Sequence, residues 1–201
     1  MKKLFYLTML VAVLGFLILG CAKSPNPAEA TLTEQSELAK QLHHPINIAN
    51  LSKLAKASTA EFSYFIFDIP GFPIVSMAAN GQTVQMAGEG TFSVFPKSVD
   101  GGGTFTEKDE SGNVLSSGTW AATKLLSYTS YGELTFDGVT VAGGKLRMQV
   151  QLSTGEQAVL WVDCLIGDPT PNAAEGIRLA VQGGPNYNKE VSGITLYVRN
   201  N

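Results

Sequence analysis

Lys145-Leu146-Arg147-Met148-Gln149-Val150-Gln151-Leu152 carries an apolar side chain at every second position and a polar one between each pair. A period of two is the period of a β-strand, so one face of this segment meets a core and the other meets water. Ser153-Thr154-Gly155-Glu156 follows as a turn, and Ala158-Val159-Leu160-Trp161-Val162-Asp163-Cys164-Leu165-Ile166 returns as a more fully apolar and therefore more central strand. Two such runs joined by a short glycine-containing link predict an antiparallel hairpin. Outward from this pair the same period marks 62–69, 73–78, 83–95, 103–109, 114–121, 124–130, 134–141, 176–182 and 192–199. Ten or eleven short strands with no long helix between them exclude a parallel α/β fold, whose crossovers need a dozen residues or more. The expectation is an all-β domain over residues 61–201, either an antiparallel β-barrel or a two-sheet β-sandwich.

The short hairpin links favour the barrel, which closes on itself and abolishes its edges. A sandwich needs long crossovers, and the one long link without strand character is Gly167 to Glu175, with Pro169 and Pro171. This pattern coarsely resembles a lipocalin-like β-architecture, although the residues contain no lipocalin motif. Fold-level likeness implies no ligand by itself.

Lys2 and Lys3 precede an apolar run from Leu4 to Leu19, interrupted by Thr8 and Gly15, which ends in Ile18-Leu19-Gly20-Cys21. As a helix the run would be about 24 Å long, short of the ~20 residues a membrane span needs. These residues resemble the signal peptide and lipobox of bacterial lipoproteins: Ile18, Gly20 and Cys21 fit, and Leu19 departs mildly from the usual Ala or Ser. The resemblance implies that 1–20 is a removed signal peptide and that Cys21 is acylated. At least two lipid chains would result, enough for stable membrane attachment. Ala22, where an Asp retains many lipoproteins at the inner membrane, points to the outer membrane if the organism has one.

Residues 21–60 read as a lipid-anchored tether. Ser24-Pro25-Asn26-Pro27 is a spacer composition, Thr31 with Glu34 has the form of a capping box, and Leu38 and Leu42 lie one helical turn apart. Pro45 ends that segment, and Ile46, Leu51, Leu54 and Ala55 suggest a second short helical piece able to dock on the domain.

The chain carries 14 basic and 17 acidic residues, a formal charge of −3; without Lys2 and Lys3 it is −5. No basic block exists, so the electrostatic footprint of nucleic acid binding is absent. Of two cysteines, Cys21 is reserved for lipid, which leaves Cys164 without a disulfide partner. The only histidines, His43 and His44, lie in the tether, so the β-domain has no imidazole for a Ser-His-Asp triad or a typical catalytic zinc. Neither a metal nor a cofactor is implied.

Within the domain, Cys164 has the setting of a small buried hydrophobe. Alternation puts Asp163 on the face of Trp161 and Leu165. The carboxylate is either a ligand anchor or is satisfied by backbone or by Arg178. The stretch 88–105 holds two Gly-Thr-Phe triplets and the run Gly101-Gly102-Gly103, but lacks the Lys-Ser/Thr of a phosphate loop. Its glycines instead suit a tight turn or close approach of strands. Asp109-Glu110-Ser111-Gly112-Asn113 is a solvated hairpin turn without EF-hand spacing. Trp120, Tyr128 and Tyr131 among Ser and Thr residues form either core or cross-strand pairs, or an aromatic and hydroxyl-lined surface for a sugar or small amphiphile.

Two function classes follow. One is a non-catalytic module that binds a small apolar or amphipathic ligand, lined by Phe92, Trp120, Met148, Leu160, Trp161 and Asp163, or an envelope partner. The other is a histidine-independent isomerase or cyclase with Asp163 or Glu89 in a barrel pocket.

Overall fold

The structure is a computed structural model that describes residues 60–200. The expected signal peptide over 1–20, Cys21, and the expected helical pieces of the tether with His43 and His44 lie outside the described residues. The described chain forms eleven strands: β1 (Glu61–Ile66), β2 (Asp68–Ile69), β3 (Phe72–Ala78), β4 (Thr83–Ser93), β5 (Ser98–Lys108), β6 (Val114–Phe136), β7 (Val139–Leu152), β8 (Gln157–Cys164), β9 (Gly176–Val181), β10 (Asn186–Ser192) and β11 (Thr195–Asn200). Every ladder between them is antiparallel. One large sheet runs β11-β1-β4-β5-β6-β7-β8-β9-β10-β3-β2, with further pairings of β3 to β4 and of β11 to β7.

The alternation of 145–152 is realised in β7. Leu146, Met148, Val150 and Leu152 are buried, while Lys145, Arg147, Gln149 and Gln151 point to the other face. Met148 stands opposite Leu160 in β8 and Leu125 in β6, so three neighbouring strands bring their apolar positions to one level of the core. That core is one continuous cluster from Phe62 in β1 to Tyr197 in β11. Burying a large apolar side chain contributes about 1.5–3 kcal/mol, so the shared face supplies most of the driving force for the sheet.

The sequence reading places strands at 83–95 and 103–109 in the glycine-rich stretch, and the structure starts the second at Ser98, so Gly101 and Gly102 also lie within β5. In the β4–β5 ladder Gly88 faces Gly103 and Gly90 faces Gly101. A Cβ on Gly88 would lie 2.5 Å from the Trp120 ring, and one on Gly90 would lie 2.6 Å from the Tyr64 hydroxyl. These inward positions carry no side chain because two large rings from β6 and β1 occupy the space, which is the close approach that glycine permits.

Strand boundaries differ from the sequence reading at several points, among them the run 62–69, which breaks at Phe67 into β1 and β2. The runs 114–121 and 124–130 join into one 23-residue strand, β6, because its ladder to β7 shifts register by bulges instead of ending. An extra residue lets a strand bend and continue. The run 134–141 contains a hairpin turn: Asp137 and Gly138 have φ of 49° and 77°, and Phe136 pairs with Val139. Strand β10 has no counterpart in the sequence reading. Its residues, Asn186-Tyr187-Asn188-Lys189-Glu190-Val191-Ser192, are mostly polar with Tyr187 alone buried, and two irregularities in the pairing with β3 erase the period.

Candidate functional site

Four of the six candidate ligand-lining residues, Phe92, Trp120, Met148 and Leu160, are buried in the common core. Phe92 stacks on Phe62 at 5.1 Å and meets Tyr128 at 4.8 Å and Tyr197 at 5.7 Å between ring centroids. The polar tips of the interior rings are engaged with backbone. Trp120 Nε1 donates to Ala87 O at 3.1 Å, Tyr64 to Asp100 O at 3.2 Å, Tyr128 to Gly143 O at 3.0 Å and Tyr197 to Val162 O at 2.6 Å. Burial pushes the phenols of Tyr64, Tyr128, Tyr187 and Tyr197 well up, so they remain protonated donors. Each of these ring groups is thus satisfied without a guest.

Trp161 and Asp163 stand on the opposite face of β8. Trp161 is half-buried with the Arg147 guanidinium 5.3 Å above its ring. Asp163 is buried with its side chain 2% exposed, although it points away from the core. Arg178 from β9 reaches its Oδ2 at 3.1 Å, Lys145 from β7 lies 3.4 Å from the same oxygen, and Tyr131 donates to Oδ1 at 2.8 Å. Arg178 Nε is also 2.8 Å from Glu190 of β10. The cross-strand register sets much of this, since Asp163 pairs directly with Lys145 and with Gly176.

Tyr131 arrives by a different device. The β6–β7 ladder skips it between Ser130 and Gly132, and Gly132 has φ of 122°. A bulge re-aims the side chain it inserts, here over the outer face of β8. Desolvation, and then the hydrogen bond to Asp163, push the Tyr131 phenol up to about 12, so it donates to the carboxylate and does not act as a base. Both Asp163 oxygens are therefore engaged by donors.

A third carboxylate, after Asp163 and Glu190, completes the cluster. Glu175, in the link between β8 and β9, accepts from Leu165 N at 2.8 Å, Thr195 N at 2.7 Å and Thr195 Oγ1 at 2.7 Å. Burial raises its pKa against those bonds. The Thr195 hydroxyl also lies 2.7 Å from Asp163 O. Cys164 beside it is buried, and its thiol is pushed up to about 12 by desolvation and then by Glu175, which keeps it an un-ionised hydrophobe. This arrangement clamps β8 to β6, β7, β9 and β11 through charge and hydrogen bonds.

The sequence singles out Asp163 and Arg178 from this cluster and misses Tyr131, Lys145, Glu175, Glu190 and Thr195 as members. Lys145 is legible as the outward neighbour of Leu146, but its partner depends on the β7–β8 register. Glu89 is exposed on β4. Asp109 caps its own turn, accepting from Ser111 N, Asn113 N and Asn113 Nδ2, which holds its carboxyl below the usual range. No group of three His, Cys, Asp or Glu suited to a metal occurs among the described residues. A depression of about 220 Å³ lies where Glu107, Ser116 and Leu152 face Val181 to Pro185, and Glu107 there accepts from the Tyr187 hydroxyl at 3.1 Å. Comparison with protein-family models, curated proteins and solved structures returns no match to this chain.

Proposed function

We propose that this chain is a bacterial envelope lipoprotein, attached to the membrane through lipid on Cys21, whose β-domain is a closed antiparallel barrel acting as a non-catalytic interaction module for an envelope partner. The barrel reading is supported by the strand pairing. From β4 through β5, β6, β7, β8, β9 and β10 each strand bonds the next, β10 bonds β3, and β3 bonds β4 again. Strands β1 and β3 lie along successive parts of β4, and β11 and β10 lie along β1 and β3. Closure leaves no long edge open to unwanted pairing.

The observation that favours a protein partner over an interior ligand is the filled interior. Phe92, Trp120, Met148 and Leu160, the residues that would line a ligand cavity, instead pack on one another and on the rings of Phe62, Tyr128 and Tyr197. A ligand site keeps most of its walls available to the guest. An isomerase or cyclase needs a carboxylate free to exchange a proton, whereas Asp163 is saturated by Arg178, Lys145 and Tyr131.

The test is native mass spectrometry of the protein purified from membranes. The expected result is the mass of the processed chain plus its covalent acyl groups, with nothing lost on denaturation. A reproducible non-covalent mass released on unfolding would overturn the partner reading in favour of a small ligand. A chain that keeps residues 1–20 and carries no lipid would overturn the lipoprotein reading.

A further inference from the structure

The inner face of the domain changes character at one level. Ser76 of β3 stands opposite Val84 of β4, Val84 opposite Glu107 of β5, and Glu107 opposite Ser116 of β6. Directly paired residues of an antiparallel ladder share a face, and the burial of Ser76 and Val84 identifies that face as the inner one. The next inward row along β4 and β5 is Met86 and Phe105, both buried and apolar. Around the polar row, the β7–β8 turn with Thr154 and Glu156 and the β9–β10 turn at 182–185 wall a cavity of about 220 Å³. Glu107, half-buried, points into it, and Leu152, Val181 and Pro185 give it an apolar side.

This row holds more hydrogen-bonding capacity than the fold consumes. Tyr187 of β10 reaches across to Glu107 Oε1 at 3.1 Å, but no described residue donates to Oε2. Neither Glu107 nor Glu156 has an ion-pair partner among the described residues. Ser76 Oγ, fully buried in the same row, has no hydrogen-bond partner among them either. Buried polar groups ordinarily find partners, as the ring groups of Tyr64, Trp120, Tyr128 and Tyr197 do on backbone carbonyls.

We infer that this cavity seats one arginine side chain of the envelope partner, with its guanidinium on Glu107 and its aliphatic stem along Leu152, Val181 and Pro185; this deepens, and rests on, the reading of the domain as an interaction module. Size excludes a larger guest, because about 220 Å³ falls below the ~300 Å³ at which pockets for drug-sized ligands begin. Charge sets the sign, since the lining contains two carboxylates and no cation. The mixed lining sets the shape: an arginine buries an apolar stem and presents a planar fork of donors at its tip. Glu107 Oε2 and the hydroxyl oxygens of Ser116 and Thr154 are acceptors for that fork, whereas a lysine ammonium is a single point of charge. Arginines seated in pockets of this kind are frequent anchors of protein interfaces.

The probe is Nα-acetyl-arginine methylamide, titrated into the isotope-labelled, lipidated full protein in detergent micelles and followed by amide chemical shifts. The citrulline analogue, which keeps the shape and loses the charge, is the comparison on the same unsubstituted protein. The expected result is saturable shifts confined to the cavity walls, at Ser116, Thr154 and Gly183, with the citrulline analogue binding about tenfold more weakly. Glu107→Gln retains an acceptor for Tyr187 and should weaken the arginine probe by the same factor, with the remaining amide shifts in place to show that the variant is folded. Glu156→Gln, at the exposed rim, should cost only about twofold. Equal binding of the two probes, shifts away from the cavity, or arginine binding unchanged by Glu107→Gln would overturn the site and leave the partner reading standing. A small amine that copurifies non-covalently with the protein, and is lost from Glu107→Gln, would keep the cation site but overturn a protein partner as its source.

Discussion

The two faces of the β-sheet solve the same problem by opposite means. Inside, around Gly88, Gly90, Gly101 and Gly103, backbone is stripped of side chains so that Tyr64 and Trp120 can lie against it, and each ring ends on a carbonyl oxygen. Outside, around Asp163, a buried carboxylate is held by Arg178, Lys145 and Tyr131. Space is the limiting quantity in the first region and charge in the second. The lesson is that burial alone does not mark the interior of this domain: Asp163 is as buried as Phe92 but faces the other way.

That contrast can be broken most forcefully at Gly90. Gly90→Leu would drive a side chain into the Tyr64 hydroxyl and into the backbone at Asp100 and Gly101, and overpacking against backbone has no rotamer to retreat to. The expected outcome is loss of the cooperative thermal transition; a variant that melts like the parent would show that the interior has slack. Alkaline titration probes both regions at once. All five tyrosines of the described residues have raised phenol pKa values in the fold, with desolvation as the leading cause. The unfolded chain ionises near pH 10, so it releases protons before the folded one does. Stability is then fully present below that pH and falls steeply as pH rises above it. Phenolate absorbance should appear late and together with unfolding; separate titration near pH 10 in folded protein would contradict the packed interior.

In the outer cluster, Asp163→Ala leaves Lys145 without its carboxylate and Arg178 with Glu190 alone, and should cost about 2–3 kcal/mol in a urea melt. Replacing Asp163 and Arg178 together by Leu and Met should recover much of that loss, because the expensive state is the unpaired charge. Equal losses for the single and double variants would mean that Asp163 acts through shape. The smallest effect is expected for Tyr131→Phe, about 1 kcal/mol for one hydrogen bond to a carboxylate that keeps its other partners.

Several of these features are legible in the sequence. Strand β7 and its hairpin with β8 follow from alternation, since one face has to leave water, and the burial of Cys164 follows from its apolar neighbours. The sequence offers Arg178 as a partner for Asp163, and the two are paired in the fold. Tyr131 escapes such a reading because a bulge breaks the period on which it depends. The polar strand β10 is hidden for the same reason, and of the two roles the sequence leaves open for the glycine run, a tight turn or close approach, the rings of Tyr64 and Trp120 select the second.

The amino-acid order alone settled that this domain is antiparallel β and which faces of β7 and β8 are apolar, because the period of a strand is local and burial acts on each residue separately. The rings packed against the bare glycines, and the gathering of Lys145 and Tyr131 with Arg178 on Asp163, were decided only in three dimensions. Tyr64 stands far from Gly90 and Gly101 in the chain, as Tyr131 does from Asp163, and no local period records which distant strand comes to lie beside which.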